Sequence, residues 1–518
     1  MLIIIRTDAS QQIGLGHLTR CLSLAEGLRD IGANVEFIVR NHVESLNSQI
    51  IKKGFKTHLL PNIISSSLKK NLKGYEKWLC TKQIIDANET AQIIADWQID
   101  WLIVDHYAID HNWEKILKPY TKKIMVIDDL ANRPHDCDLL LDQNYTHDHG
   151  RYNNLLSSDT IQLIGPKYAL LRKEFLENRN ILNKTYNEIK RIFIFFGGVD
   201  SVNLTTRVLN ALLNPNLTNL KLCVVIGVSN PHSKTIKAQV SKHPNAKLYV
   251  QVDNMAELMA KSDISLGSGG SATWERMAVG LPSIVITIAD NQVDSTKSLA
   301  QDNYINWLGC EKQVSEKKIY NELLDVISKP QLLYEQSNKC QKLVRGNGVK
   351  IISRLLTIGP DIKTLKVNKA KASDSILYWE WANDHDVRVN AFNQSYIEWK
   401  SHQEWFNKHL NNLDTTLLLI DSEFGPVGQV RFDKSDFYFI INYSISRQFR
   451  GLGLGKAILI EAISYLQSYW EEFTLIAYVK ERNIASRKIF TRLGFSEKCT
   501  SSSDGLIYRF KLKFDPVM

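Results

Sequence analysis

Three glycine-rich segments of this 518-residue chain carry the residue types of group-transfer chemistry. The first, Gly14-Leu15-Gly16-His17-Leu18-Thr19-Arg20, stands between the apolar run Leu2–Arg6 and a helical pattern through Ala25. Glycine permits close backbone approach, and a helix start offers unpaired N–H groups and the positive end of a dipole. His17 in such a loop can act as a general base, since imidazole titrates near neutrality; it could also simply cap the helix. The third glycine of the dinucleotide fingerprint is absent. The second segment, Gly267-Ser-Gly-Gly-Ser-Ala-Thr-Trp-Glu275-Arg276, follows the apolar run Ile264–Leu266. A Gly/Ser turn opening a helix suits a diphosphate, ringed by amides and hydroxyls, and Glu275 one turn in could accept hydrogen bonds from ribose hydroxyls. The third, Gln448-Phe-Arg450-Gly451-Leu-Gly453-Leu-Gly455-Lys456, follows the strand pattern Phe437–Ile445 and precedes the helical pattern Ala457–Leu466. A basic, glycine-punctuated turn grips a pyrophosphate through successive amides.

Other clusters carry less. His147-Asp148-His149 lacks a third metal ligand at a set spacing. The seven cysteines are odd in number and widely spaced, without a CxxC pair, and read as thiols of a reducing cytosol. Trp379, Trp381, Trp399 and Trp405 fall near helical spacing and are expected in a core.

The elements that must position these segments are α/β units. Apolar runs at Leu2–Arg6, Asn34–Val39, Trp101–Val104, Ile124–Ile127 and Leu139–Leu141 alternate with helical patterns, the signature of a parallel sheet with crossover helices. The last three run into Asp105-His-Tyr107, Asp128-Asp129 and Asp142-Gln-Asn144. Ligands of open α/β sheets bind beyond the carboxyl ends of strands, although Asp and Asn there also cap helices. A second block of runs starts at Arg191–Phe196 and continues at Lys221–Ile226, Ala246–Val250, Ile264–Leu266 and Ser283–Ile288, with Gly165–Arg179 a helical connection. Two such domains face a cleft between them. Gly359-Pro360 breaks the pattern and opens a C-terminal domain. The expected division is a Rossmann-like domain at 1–165, a second at 166–357 and an α+β domain at 361–518. The 44% hydrophobic content excludes collagen-like or disordered classes, and a net charge of +9 without a basic-aromatic run disfavours nucleic acid. The apolar N-terminal run is too short for a signal peptide, and no run could span a bilayer; a cytoplasmic protein without membrane contact is expected.

The N-terminal 355 or so residues resemble the UDP-2,4-diacetamido-2,4,6-trideoxy-β-L-altropyranose hydrolases of pseudaminic acid biosynthesis. The resemblance rests on Arg6-Thr-Asp8, Ile13–Leu22, Asp105-His-Tyr107, Ile127-Asp-Asp129, Cys137–Asn144, Gly165–Arg172, Phe196–Asp200, Gly267–Glu275 and Asp290-Asn-Gln292. That family is similar to the two-domain GT-B glycosyltransferases, with water replacing the sugar acceptor. Residues Lys363 to about Phe514 resemble GNAT N-acetyltransferases of the ribosomal-protein branch, through Trp381–Asp384, Val387-Arg388, His402–Phe406, Arg450–Lys456, Asn483 and Gly494-Phe495. The resemblance implies a GT-B pair followed by a GNAT domain.

It also implies roles. His17 would be the base that activates water, with Tyr107 beside it. Asp8, Gly14, Gly16, Arg20, Asn291 and Gln292 would bind the sugar or water, Ser268, Gly270, Ser271 and Thr273 the diphosphate, and Glu275 the ribose. Ile445, Arg450, Gly451, Gly453, Gly455, Lys456, Asn483 and Ser486 would hold acetyl-CoA. Phe490 occupies the position where many GNAT enzymes carry a tyrosine acid, leaving Ser486, Tyr478 or water in its place. No metal is implied. The expected substrates are a UDP-linked amino sugar, water and acetyl-CoA. A UDP-sugar glycosyltransferase, or a UDP-sugar sensor carrying a protein acetyltransferase, are the alternatives.

Overall fold

A computed structural model describes the chain except residues 11–12, 43–46, 63–71, 149, 158, 182–187, 358–364, 423–424, 437, 451–453, 503–504 and 515–518, and except the side chains at 180–181, 448, 501–502 and 505. The chain forms two compact units, Met1–Thr357 and Ile358–Met518. The proposed break at Gly359-Pro360 and His149 of the His-Asp-His run lie outside the described residues.

Within the first unit, the early apolar runs build one parallel sheet. Its strands are β1 (Leu2–Thr7), β2 (Asn34–Arg40), β3 (Lys56–Leu60), β4 (Ile99–Asp105), β5 (Thr121–Ile127), β6 (Leu139–Asp142) and β7 (Ile161–Ile164), in the order β3-β2-β1-β4-β5-β6-β7. Every neighbouring pair is parallel. The strand order reverses between β1 and β4, and such a switch point opens a crevice at the strand ends. A second parallel sheet follows: β8 (Arg191–Phe195), β9 (Lys221–Ile226), β10 (Ala246–Val250), β11 (Ile264–Ser268), β12 (Ser283–Thr287) and β13 (Asn306–Cys310), ordered β10-β9-β8-β11-β12-β13. Its switch point lies between β8 and β11. Alternate residues of these strands enter two cores: Ile192, Ile194 and Val224 pack on one face, Phe193, Cys223 and Val225 on the other. Burial on both faces is why the strands read as continuous apolar runs.

The chain does not leave the second half at its last strand. The helix Gly348–Thr357 returns to the first half and packs on the helix Gly16–Asp30, where Gly27 has room for no side chain against Val349. Trp101 Nε1 donates to the carbonyl of Leu356 at 2.9 Å. Gly348 itself lies against Tyr168 and Ala169. The connection at 165–179 contains a 3₁₀ turn at Pro166–Tyr168 and a short helix at Lys173–Glu177. Between them Ala169–Leu171 is buried and not helical, the Leu171 N–H donating to the Ala169 carbonyl at 3.1 Å, so the expected helical connection is only partly helical.

The second unit holds a mixed sheet: β14 (Leu365–Lys369), β15 (Thr415–Ser422), β16 (Gly425–Ser435), β17 (Tyr438–Ile445), β18 (Phe473–Lys480), β19 (Ser496–Ser502) and β20 (Gly505–Phe514), in the order β14-β15-β16-β17-β18-β20-β19. All pairs are antiparallel except β17 and β18. The helix Leu454–Gln467 connects the two strands of that parallel pair, and the helix Ile484–Arg492 follows β18. Of the four tryptophans expected in a core, Trp381 is buried, whereas Trp379, Trp399 and Trp405 are half-buried. Trp405 still packs against the core around Tyr378, Trp381 and Phe406, while Trp379 meets Trp399 edge-on and donates through Nε1 to the Ile397 carbonyl at 2.7 Å. Among the described residues, no helix is long and apolar enough to cross a membrane.

Candidate active site

The first wall of the site is built where β1 and β4 end. Gly14 has φ +84°, a conformation that strains other residues, and its N–H closes a turn onto the Ser10 carbonyl at 2.8 Å. The turn delivers Gly16 and His17 as the first residues of the helix Gly16–Asp30. Asp105, the last residue of β4, meets that helix from below. Its Oδ1 accepts from His17 Nδ1 at 2.6 Å and from Arg20 Nη2 at 2.6 Å, and its Oδ2 accepts from Arg20 Nε at 2.7 Å. Burial pushes the Asp105 carboxyl up, but the Arg20 guanidinium and His17 outweigh it and hold the group well below the usual carboxylate range. An ionised carboxylate at 2.6 Å accepts a hydrogen bond from Nδ1–H of His17, and in the neutral ring this puts the lone pair on Nε2. The ring of Tyr107 lies edge-on to His17 at 4.5 Å, and Trp78 stacks on Tyr107 at 5.5 Å.

The second wall is the turn after β11. Gly269 is pressed against Thr296 and Gln292 so closely that a Cβ would collide with Thr296 Oγ1, and a Cβ on Gly270 would meet Gln292 Nε2 at 3.5 Å. Gln292 is locked in turn, its Oε1 accepting from the Ile288 N–H at 3.1 Å. The two walls face each other directly. A Cβ on Gly16 would come within 3.7 Å of Ser271 Oγ, and Asn291 Nδ2 donates to Tyr107 Oη at 3.3 Å. His17, Gly16, Tyr107, Gly270, Ser271, Asn291 and Gln292 are therefore gathered in one cleft.

Five residues expected to contact ligand have side chains that are buried or engaged by other residues of the protein. Asp8 is buried behind the cleft, chelated by Arg6 at 2.7 and 3.0 Å and accepting from the Arg40 N–H at 2.7 Å, so its carboxylate is spent inside the protein. Arg20 is buried between Asp105 and Asp129, the latter at 2.9 Å, with its Nη2 at 3.2 Å from His17 Nδ1. Thr273 is buried under the turn, its Oγ1 accepting from Arg276 at 3.0 Å. Glu275 is not open to a ribose in this structure, because Arg172 Nη2 holds its Oε1 at 3.1 Å. Ser268 is the buried end of β11, leaving its backbone as the part nearest the turn. Two site residues had no role assigned from sequence: Asp105, whose position at a strand end and in the Asp-His-Tyr segment was the available signal, and Trp78, which stands in no motif.

In the second unit, β17 and β18 pair only at Phe439↔Leu475 and Ile440↔Ile476 and then part. Beyond that point the facing backbone groups of β17 lack ladder partners, a place where an extended, amide-bearing ligand can add like a strand. Gly455 starts the next helix against Ile489, with no room for a side chain. Arg450 donates through Nε to the Ile445 carbonyl at 3.0 Å and through Nη1 to Asp384 and Asp386, both at 2.8 Å. Lys456 is exposed. Asn483 caps the helix Ile484–Arg492, its Oδ1 accepting from the Ser486 N–H at 3.2 Å. Gly451 and Gly453 lie outside the described residues. Phe490 is buried among Tyr443, Phe495 and Phe510, while Tyr443 Oη and Ser486 Oγ share a hydrogen bond of 2.9 Å. Among the described residues, no group of three or more His, Cys, Asp or Glu is arranged to hold a metal.

Comparison with known proteins matches both units. Residues 191–350 match the glycosyltransferase family 28 C-terminal domain, and residues 365–496 the acetyltransferase (GNAT) domain. The chain is 25% identical to an uncharacterized protein of Methanocaldococcus jannaschii over 99% of its own length and 100% of that protein. It is 27% identical to the UDP-2,4-diacetamido-2,4,6-trideoxy-beta-L-altropyranose hydrolase of Campylobacter jejuni, over 59% of this chain and 98% of the hydrolase. A UDP-N-acetylglucosamine–N-acetylmuramyl-(pentapeptide) pyrophosphoryl-undecaprenol N-acetylglucosamine transferase of Rickettsia akari is 28% identical over 34% of this chain and 48% of the transferase. The chain thus fuses a homologue of the altropyranose hydrolase, with its family 28-like domain, to a GNAT acetyltransferase domain.

Proposed function

We propose that the protein is a bifunctional enzyme of nonulosonic acid synthesis. Its first unit hydrolyses a UDP-linked 2,4-diacetamido-2,4,6-trideoxy sugar, and its second acetylates the 4-amino group of that sugar's precursor with acetyl-CoA. The observation that carries the reading is His17, fixed by Asp105 with Nε2 free, on the wall opposite the Gly267–Ser271 turn. Residues 1–165, 166–357 and 361–518 are the corresponding domains.

Water positioned by His17 Nε2 and the Tyr107–Asn291 pair attacks the anomeric carbon as its proton passes to Nε2. The bond from that carbon to UDP breaks on the opposite face, so the configuration inverts. The amides and the Ser271 hydroxyl of the turn receive the charge that gathers on the diphosphate. For the second reaction, the amine nitrogen forms a bond to the acetyl carbonyl carbon, the thioester bond breaks, and the amine proton is finally taken up as the thiol is regenerated. The splayed β17 strand would hold the pantetheine amides, and the Arg450–Lys456 segment the pyrophosphate.

Supplying the 4-amino UDP-sugar with acetyl-CoA and identifying products by NMR tests both steps. Free diacetamido sugar and UDP are expected only when acetyl-CoA is present. The match to family 28 favours one second reading, a glycosyltransferase in which His17 deprotonates an acceptor hydroxyl. Steady UDP release from the diacetamido UDP-sugar without any acceptor supports the hydrolase; release only with an acceptor supports the transferase.

A further inference from the structure

Arg276 has an unusual setting for an arginine. It is fully buried under the Gly267–Ser271 turn, and among the described residues it has no carboxylate at ion-pair distance. Other buried guanidiniums of this unit are neutralised: Arg6 by Asp8 and Asp86, Arg40 by Asp86 and Glu89. Arg276 instead donates through Nη2 to the Ser268 carbonyl at 2.7 Å and to Thr273 Oγ1 at 3.0 Å, while its Nε and Nη1 have no partner. Burial pulls its pKa down to about 10, against the smaller opposing pull of Glu275 and Cys340.

The chain makes space for this charge. A Cβ at Gly267 would lie 2.5 Å from Arg276 Nη1 and 2.7 Å from the Phe195 carbonyl. Gly267 does not have a positive φ, so its lack of a side chain serves the guanidinium and not a turn. A buried cation without a counter-ion is a cost to the folded state, and an apolar side chain of similar length would avoid it. An anion brought to the other side of the turn would relieve that cost. The bonds to Ser268 and Thr273 also fix the segment that presents the turn.

We propose that Arg276 is a buried counter-charge for the diphosphate, a positioning residue that acts through the Ser268–Ser271 backbone without touching the ligand. This rests on the reading that the turn takes the diphosphate of a UDP-sugar. The charge senses phosphate but not the nucleoside, so its loss should separate UDP from uridine.

The test is calorimetric titration of the full chain with UDP and with uridine, comparing wild type, Arg276→Met and Arg276→Gln. Glutamine keeps a donor for the Ser268 carbonyl but carries no charge. Both variants should bind UDP about 10- to 50-fold more weakly, the size expected of a charge pair several ångströms apart inside a protein. Uridine affinity should stay within about twofold, and the melting temperature of Arg276→Met without ligand should hold or rise. Undiminished UDP affinity in Arg276→Gln overturns the proposal. So does an equal loss of UDP and uridine with a lower melting temperature, which would mark Arg276 as structural only. If the wild type binds neither UDP nor uridine, the UDP-sugar reading itself falls and takes this proposal with it.

Discussion

Asp105→Asn probes the link between the fold and the proposed base. The carboxylate accepts from His17 once and from Arg20 twice, and the Cys21 thiol donates to Oδ2 at 3.3 Å. Asparagine has one acceptor oxygen, and its NH₂ group would point at donors. If the oxygen stays on Arg20, the NH₂ faces His17 Nδ1 and drives the ring proton to Nε2, the wrong tautomer for a base. A carboxylate-to-amide change beside a catalytic histidine costs about 10⁴-fold in turnover where the tautomer is lost. We expect a fall of about 10³- to 10⁴-fold in UDP release from the diacetamido UDP-sugar. Breaking a buried ion pair also costs about 3–5 kcal/mol, softened here because Arg20 keeps Asp129. The melting temperature should therefore drop by several degrees, and assays belong well below it. UDP affinity should change little, since the turn proposed to take the diphosphate is on the other wall. Turnover within about tenfold of wild type in a folded, UDP-binding Asp105→Asn would refute the reasoning.

Three further outcomes are expected. His17→Asn should lower turnover about 10²- to 10⁴-fold with UDP binding nearly intact, checked by UDP release and calorimetry. Asp142 is pushed up to about 7 by burial, opposed by Arg151 and reinforced by the charges of Asp129 and Asp128. Its raised folded pKa means that the contribution of Asp142 to stability is full below about pH 4 and is lost as pH climbs through 7, so Asp142→Asn should stabilise the protein at pH 8 by on the order of 2–4 kcal/mol and hardly at pH 4, read from melting curves at both. In the second unit, Tyr443→Phe or Ser486→Ala should each slow acetyl transfer about tenfold or more, while Tyr478→Phe, at 42% exposure, should not; thiol release reports all three.

Much of this architecture could be read from the chain because parallel strands buried on both faces leave continuous apolar runs. In the first unit the strands that escaped notice, β3, β7 and β13, are edges whose sequences mix Lys56, His58, Gln162 and Asn306 with apolar residues, and in the second unit only β17 was read from the sequence. A half-solvated edge has no continuous run to find. The cleft was legible where the backbone itself is the device, as in Gly14, Gly16 and the Gly267–Ser271 turn. It was less legible where a polar side chain serves another side chain. Asp8, Arg20 and Thr273 have the composition of ligands, but Asp105 reaches Arg20 only when β4 assembles beside β1, and the local partners Arg6 of Asp8 and Arg276 of Thr273 show their engagement only once the side chains are placed. Arg276 shows the converse: nothing in a run of Trp-Glu-Arg marks a guanidinium that folds inward without a carboxylate.

The returning helix Gly348–Thr357 has a kinematic consequence. The chain passes between the halves of the first unit twice, and the two passages lie side by side where Gly348 rests on Tyr168 and Ala169. Two crossings joined by a close contact restrain relative displacement of the halves at that place more than a single crossing would. At Gly27 against Val349 and at Gly348 against Tyr168, an added methyl group would wedge the joint itself. Neither glycine tolerates a Cβ in this packing, and both lie apart from the Gly16–Ser271 contact.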